Sequence, residues 1–304
     1  MKAPEFYNPY ATRGRWWRVS LHCHTTNSDG HVSPAGAVRI YGHLGYDAIA
    51  ITDHDFVTRV PGHRGRPLLI PAAELNGPPD TLYLGARETG KVRIGGRGLQ
   101  ATIDRIRARG GLAFVAHPSW SGLSDKVLLG AHGYLGLEAY NQVTQDLNGL
   151  GRAVEKWDQV LAAGRRVWGL ATDDCHFGEW RGKPGSAWVW VKAPVLTVAA
   201  LLRALRRGAF HATQGPRILA VAARRGRIAL RTSPAARVHL ISAGVGSGTA
   251  KLAATRRGDT RWSFDIIGER LNVTRFARIE VLDRAGRTAW GNPLFVRGRG
   301  VRFW

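Results

Sequence analysis

His22 and His24 stand one residue apart, and an extended strand, whose side chains alternate with period two, would place both imidazoles on one face. Such a pair grips a single metal ion, while Cys23 between them turns the other way, toward packing. Neutral imidazole nitrogens suit zinc, iron or manganese, and Asp29 in the following Ser28-Asp29-Gly30 adds an oxygen of the kind divalent hydrolytic centres use. Related groups recur down the chain, each at the end of a short apolar run: Thr52-Asp53-His54-Asp55 after Ala48 to Ile51, Glu74 after Leu69 to Ala73, and His117-Pro118 after Leu112 to Ala116. Asp174 and His176, after Val167 to Ala171, repeat the opening alternation with Cys175 turned away.

Buried strands that end in ligand-type residues are what an α/β barrel needs to converge one site from distant sequence. The intervening segments read as the helices such a barrel requires. Ser33-Pro34 is an N-cap followed by proline at the first helical position, with Ala37, Tyr41 and Leu44 at helical spacing and Gly45 as terminator. Leu99 to Arg109, Val154 to Ala163 and Leu196 to Arg207 carry the same amphipathic period. Strands alternating with helices predict a parallel sheet.

These ordered motifs resemble those of PHP (polymerase and histidinol phosphatase) domain proteins over roughly residues 18 to 212. The run from His22 to Gly30, together with Ala289-Trp290-Gly291-Asn292-Pro293-Leu294, resembles the metallohydrolase branch that carries a C-terminal β domain and includes a carbamate hydrolase. The resemblance implies a distorted (β/α)7 barrel holding two or three divalent ions (Mn, Zn or Fe). His22, His24, Glu74 and Asp174 would hold one ion, and Glu74 would bridge to a second that also takes His117. Asp29, His54 and His176 would complete a third site, and Glu138 and Asn141 are the candidates for a further ligand of the second ion, with His132 in a nearby glycine-rich loop. Asp53, Asp55 and Asp173 are expected to orient the imidazoles.

Neighbouring divalent ions lower the pKa of shared water from 15.7 to about 7, so hydroxide attack needs no strong base. The expected activity is therefore that of a phosphoesterase acting on a phosphomonoester or phosphodiester, nucleotides and short oligonucleotides included. The same hydroxide attacks a carbonyl, so carbamate, ester or amide hydrolysis is the alternative; Arg or Lys facing the ions would favour phosphate, and an aromatic, uncharged lining a carbonyl substrate. A third reading, from another class, is a nucleic-acid-binding or interaction protein with a merely structural metal site. Eight ligands with open coordination argue against it. His31 and His211 are isolated and read as structural.

After Thr213 the texture changes to short β-rich runs between glycine, proline and charged turns, which predicts a hydrolase barrel over residues 1–212 and a small all-β, sandwich-like domain over residues 213–304. That second region holds 18 basic against 5 acidic residues and accounts for 13 of the net +22. Such a field draws polyanions, so nucleic acid or a phosphorylated small molecule is the expected partner, although arginine outnumbers lysine 37 to 7, a bias that codon composition alone produces, and Arg224-Arg225-x-Arg227 is too short to signal RNA binding. A 44% apolar composition suffices for two cores, two cysteines exclude a disulfide framework, and no membrane-length or signal-like apolar run occurs. A cytoplasmic enzyme without a membrane partner is expected.

Overall fold

The structure, a computed structural model, describes residues 5–94, 98–179, 182–224, 226–243, 249–265 and 275–296. Arg225 of the Arg224-Arg225-x-Arg227 run, and the ends of two β-rich runs after Thr213, Trp262 to Ile267 and Leu294 to Arg297, at Ile266, Ile267 and Arg297, lie outside the described residues. A two-residue strand β1 (Phe6–Tyr7) and β2 (Arg15–Ser20) precede α1 (Pro34–His43), whose Ser33 cap accepts the Gly36 N–H at 3.1 Å. Then come β3 (Ala48–Ile51), β4 (Phe56–Val57), β5 (Leu68–Leu75), β6 (Thr81–Leu84), β7 (Gly90–Lys91) and α2 (Leu99–Ala108). β8 (Leu112–Val115), α3 (Asp125–Gly130), β9 (Gly136–Asn141), α4 (Gln142–Asn148), α5 (Val154–Ala162) and β10 (Trp168–Thr172) follow. β11 (Trp188–Ala193), α6 (Val198–Arg206) and β12 (Phe210–Thr213) lead into β13 (Ile218–Arg224), β14 (Arg227–Ala243), β15 (Thr249–Asp265), β16 (Phe276–Leu282), β17 (Thr288–Gly291) and β18 (Leu294–Val296).

The result is a mixed α/β architecture in which a curled sheet runs β2-β3-β5-β6-β8-β9-β10 and continues on the other side of β2 through β11 and β12 into a β-rich C-terminal region. β2, β3 and β5 are parallel, as are β8, β9 and β10, and β3, β6, β8, β9 and β10 are buried along their whole length. The sheet closes where the chain runs past β2 and β10: Cys23 and Cys175 bridge in parallel, and His24 N–H donates to the Cys175 carbonyl at 2.9 Å. Both thiols are free and buried in a satellite core with Tyr41, Ile49 and Ile51, on the side away from the histidines.

Two departures from the sequence reading have local causes. β6 runs antiparallel to both β5 and β8, because Asn76-Gly77-Pro78-Pro79-Asp80 turns the chain straight back after Glu74 where a crossover helix would be needed for a parallel step. Of the short β-rich runs expected after Thr213, Ile228 to Arg231 and Val238 to Ser242 are joined in one strand, β14, because Pro234 lies within a shift of register against β15, where its missing N–H breaks no ladder bond.

The C-terminal region also closes the barrel core, to which Phe276, Trp290 and Phe295 belong. Asn292, fully buried, accepts the Gly169 N–H of β10 at 3.0 Å and donates to the carbonyls of Gly208 at 3.2 Å and Phe210 at 3.1 Å. No described helix is long and apolar enough to cross a membrane.

Candidate metal centre

The ligand-type residues stand on extensions of parallel strands that keep their register past the regular sheet. Thr52 N–H donates to the Cys23 carbonyl at 2.8 Å, Glu74 N–H to Thr52 at 3.0 Å and Asp55 N–H to Glu74 at 2.8 Å. This ladder brings His22, His24, His54 and Glu74 side by side. Asp29 arrives on the loop Thr25 to Gly30, where Gly30 packs so closely that a Cβ there would lie 2.5 Å from the His24 carbonyl. His117 and Asp174 have left-handed backbones, φ 23° and 51°, an uncommon strain for non-glycine residues that turns their side chains inward at the strand ends.

Four donor atoms form the centre of the cluster. His22 Nε2 lies 3.1 Å from His24 Nε2, 3.2 Å from Glu74 Oε2 and 3.1 Å from Asp174 Oδ1, and His24 Nε2 lies 3.3 Å from Glu74 Oε2 and 3.1 Å from Asp174 Oδ1. A tetrahedral ion with bonds of about 2.0–2.1 Å needs ligand atoms about 3.3–3.4 Å apart, a spacing that His22, His24 and Asp174 meet together and that Glu74 Oε2 meets toward both imidazoles. Asp174 Oδ1 is buried without a hydrogen-bond partner, as a ligand oxygen would be.

Two further groups adjoin this one. The other oxygen of Glu74, Oε1, meets His117 Nε2 at 3.0 Å, and Asp80 Oδ2 stands 4.0 Å from the same nitrogen. On the outer side Asp29 faces three histidines: His176 Nε2 at 3.2 Å, His24 Nδ1 at 3.4 Å and His54 Nε2 at 3.8 Å. Glu74 thus faces two groups with its two oxygens. Among the described residues, all three metal-capable groups lie here and none in the β-rich C-terminal region.

Glu138 and Asn141 join none of the groups. The Glu138 carboxylate is filled by four donors: His22 Nδ1 at 2.8 Å, Thr172 Oγ1 at 2.6 Å, and the His117 N–H and Asn141 Nδ2 at 2.8 Å each. A His22 Nδ1–H held this way leaves its Nε2 lone pair facing the cluster. Asn141 donates to Asp174 Oδ2 at 3.0 Å and caps α4 through the Thr144 N–H.

Asp53, Asp55 and Asp173 also sit differently from expectation, since none holds an imidazole. Asp53 accepts from Thr25 N–H, Thr25 Oγ1, Ser28 Oγ and Thr58 Oγ1 and so ties down the Asp29 loop. Asp55 accepts from Asn76 N–H at 3.1 Å. Asp173 lies behind the ligands on Ser20, Tyr41 and the Gly185 N–H, and burial pushes its carboxyl up to about 7 against those hydrogen bonds. His132 is remote, against Arg165 and Gln100, and His31 meets the cluster only through its N–H to the His176 carbonyl.

Asp80 is the residue that sequence reasoning passed over. It ends a proline-rich turn rather than an apolar strand, so the strand-end signal misses it, although its place six residues after Glu74 puts it across a hairpin from that ligand.

Electrostatics support a cation site. Burial disfavours every charge here, yet the carboxylates of Glu74 and Asp174 outweigh it and raise His24 and His117 to about 9 and His22 well above its usual value. The histidines in turn hold Glu74, Asp174 and Asp29 below the ordinary carboxylate range against the same burial cost. Protons on imidazoles thereby balance a group of buried anions, and divalent ions would release those protons on binding.

The cluster opens into a cleft of about 270 Å³ whose other walls are Trp120, Val143, Thr144 and Leu147, with no Lys or Arg among the described lining residues. Trp120 stands edge-on to His117, with centroids 5.0 Å apart.

No family model matches the sequence and no curated protein resembles it significantly. A solved two-domain protein from Bacteroides vulgatus, described as containing a predicted PHP-like metal-dependent phosphoesterase, shares the fold over 97% of both chains, with a TM-score of 0.52 and 14% identity. A candidate metal-dependent phosphoesterase from Bifidobacterium adolescentis (TM-score 0.40, 17% identity) covers 57% of this chain and 91% of its own. A sulfate-bound, metal-free amidohydrolase from Chromobacterium violaceum (0.42, 15%) covers 54% of this chain and 90% of its own.

Proposed function

We propose that the chain is a metal-dependent hydrolase of PHP type, a distorted (β/α)7 barrel over residues 1–212 joined to a sandwich-like basic β domain over residues 213–304. The observation that carries this reading is the set of four buried donor atoms from His22, His24, Glu74 and Asp174, in which the two imidazole nitrogens lie 3.1 Å apart and each lies 3.1–3.3 Å from both carboxylate oxygens. His117, with Glu74 and Asp80, would hold a second ion, and Asp29, His54 and His176 a third.

Such ions supply Lewis acidity, making water nucleophilic near neutral pH and drawing charge from a phosphoryl or carbonyl group. The chain supplies the rest. Glu138 keeps the His22 Nδ1 protonated and its ring aimed, and Asp53 fixes the loop that brings Asp29 over the mouth. Trp120, Val143 and Leu147 exclude water from one wall of the cleft and offer apolar surface to a leaving group.

A phosphoester is the preferred substrate class, supported by the three adjoining ligand groups, which suit a displacement with charge on both attacking and leaving oxygens. The uncharged, partly aromatic lining favours the second reading, a carbamate, ester or amide. The deciding experiment assays protein loaded with Mn, Zn or Fe against phosphomonoesters, phosphodiesters and aryl carbamates, beside His22→Ala and His117→Ala. Turnover of one class that vanishes in both variants supports the reading; turnover that survives both overturns it.

A further inference from the structure

Beside the metal cleft lies a second recess, of about 570 Å³, and the two share His54. Its far wall is the segment 90–94, in which Val92 and Ile94 are buried while Lys91 and Arg93 are exposed, the alternation of an extended chain. That wall is anchored, not loose. β7 pairs with β4 just after His54, Val92 N–H donates to the Asp55 carbonyl at 2.8 Å, and Arg105 of α2 holds the Ile94 carbonyl at 2.9 Å.

Lys91 and Arg93 therefore project from a fixed edge into a recess that opens on the cluster, and neither has a carboxylate partner among the described residues. The recess also holds one anion, Asp55, whose Oδ1 is turned to the Asn76 N–H at 3.1 Å. Asn27, Asn76 and Phe56 supply amide groups and a ring. This lining differs in kind from the metal cleft, whose described walls hold no Lys or Arg.

We infer that the substrate carries a second anionic group, distinct from the bond being hydrolysed, and that Lys91 and Arg93 hold it in this recess while the reacting group sits at the metals. The inference rests on the hydrolase reading but holds for either bond type. A carboxylate and a phosphate are the two sources of such an anion, and both pair with a guanidinium and an ammonium presented together.

Matched substrates test it. For the metal-loaded protein, phosphate release is compared between glycerol 3-phosphate, 3-phosphoglycerate and propane-1,3-diol bisphosphate; for acyl transfer, p-nitrophenyl butyrate is set against mono-p-nitrophenyl glutarate. The expected result is a kcat/KM at least 10-fold higher for an anion-bearing member, mostly through KM. The Lys91→Ala/Arg93→Ala variant should lose that preference while turning over the neutral member within 2-fold of the parent, and Lys91→Glu/Arg93→Glu should reverse it. The better of carboxylate and bisphosphate identifies the anion. Equal use of neutral and anionic members, or a preference that persists in the double alanine variant, overturns the inference and leaves the hydrolase reading standing. Calorimetric binding of 3-phosphonopropionate, which needs no turnover, separates the opposite case. Binding weakened 10-fold in the double variant while no substrate is hydrolysed would sink the hydrolase reading and keep the anion site.

Discussion

Two buried charge clusters in this molecule have opposite designs. At the contact of α5 with β16, the buried Arg278 is matched by protein groups, its Nη2 meeting Asp158 Oδ2 at 2.6 Å and its Nη1 meeting Glu280 Oε1 at 2.8 Å, while His239 Nδ1, 3.5 Å from Glu280 Oε2, is left buried without a hydrogen bond at the edge. At the barrel mouth, carboxylates and imidazoles crowd around shared points, with Asp174 Oδ1 and His54 Nδ1 buried and without hydrogen-bond partners. The Arg278 guanidinium is satisfied within the protein, and its cluster reads as structure. The second is balanced only by extra protons, and a chain with a formal charge of +22 has gathered several of its scarce carboxylates there. Mutual satisfaction, more than burial or charge count, separates a structural cluster from one built for a ligand.

Mutations can break that contrast from either side. The largest effect is expected at the mouth: His22→Ala or His117→Ala should lower turnover at least 10³-fold, below detection in most assays, while far-UV circular dichroism of the metal-free protein stays near the parent's. Arg278→Met should do the reverse. It takes the shared cation away from the half-buried Asp158 and the buried Glu280 and should cost about 3–5 kcal/mol in urea unfolding, with activity per folded molecule retained.

Smaller effects sharpen the comparison. Adding Zn or Mn at 100 times its Kd should stabilise the protein by about 2.7 kcal/mol, seen as a Tm rise that chelator reverses and that His22→Ala lacks. Glu138→Gln keeps the shape but disturbs the His22 tautomer, and should weaken metal affinity about 10–100-fold in a competition titration. The smallest concerns His211, which burial, and then Arg217, depress to about 3, its Nε2 accepting the Ile218 N–H. A depressed folded pKa means that its neutral form stabilises the fold fully above the unfolded value near 6.5 and that this is lost as pH falls toward 3. His211→Asn should flatten the stability slope across that window.

The clustered residues were legible because strand ends announce themselves: an apolar run followed by His, Asp or Glu is visible without coordinates at His22, His54, Glu74, His117 and Asp174. The sharing of the site was less so. Nothing in Leu137-Glu138-Ala139 says that Glu138 faces His22 and the His117 backbone, since a strand buried on both faces offers no polar side to read. Asp80 and the reversed β6 both follow from one turn, Asn76 to Asp80, whose punctuation is plain but whose partner across the hairpin is not. The cations at Lys91 and Arg93 are equally mute in sequence, because only the pairing of β7 with β4 brings them beside His54.

The Asn292 amide has a consequence for how the molecule comes into being. It links the Gly169 N–H of β10 to the carbonyls of Gly208 and Phe210, giving the Gly208 carbonyl a second donor beside the Phe210 N–H. During synthesis, a nascent chain that has already delivered every metal-type residue by His176 must still wait for more than a hundred further residues to leave the ribosome before β10 is locked. Until then the histidine-rich mouth is an unfinished cage, open to whatever ions and thiols the cell presents.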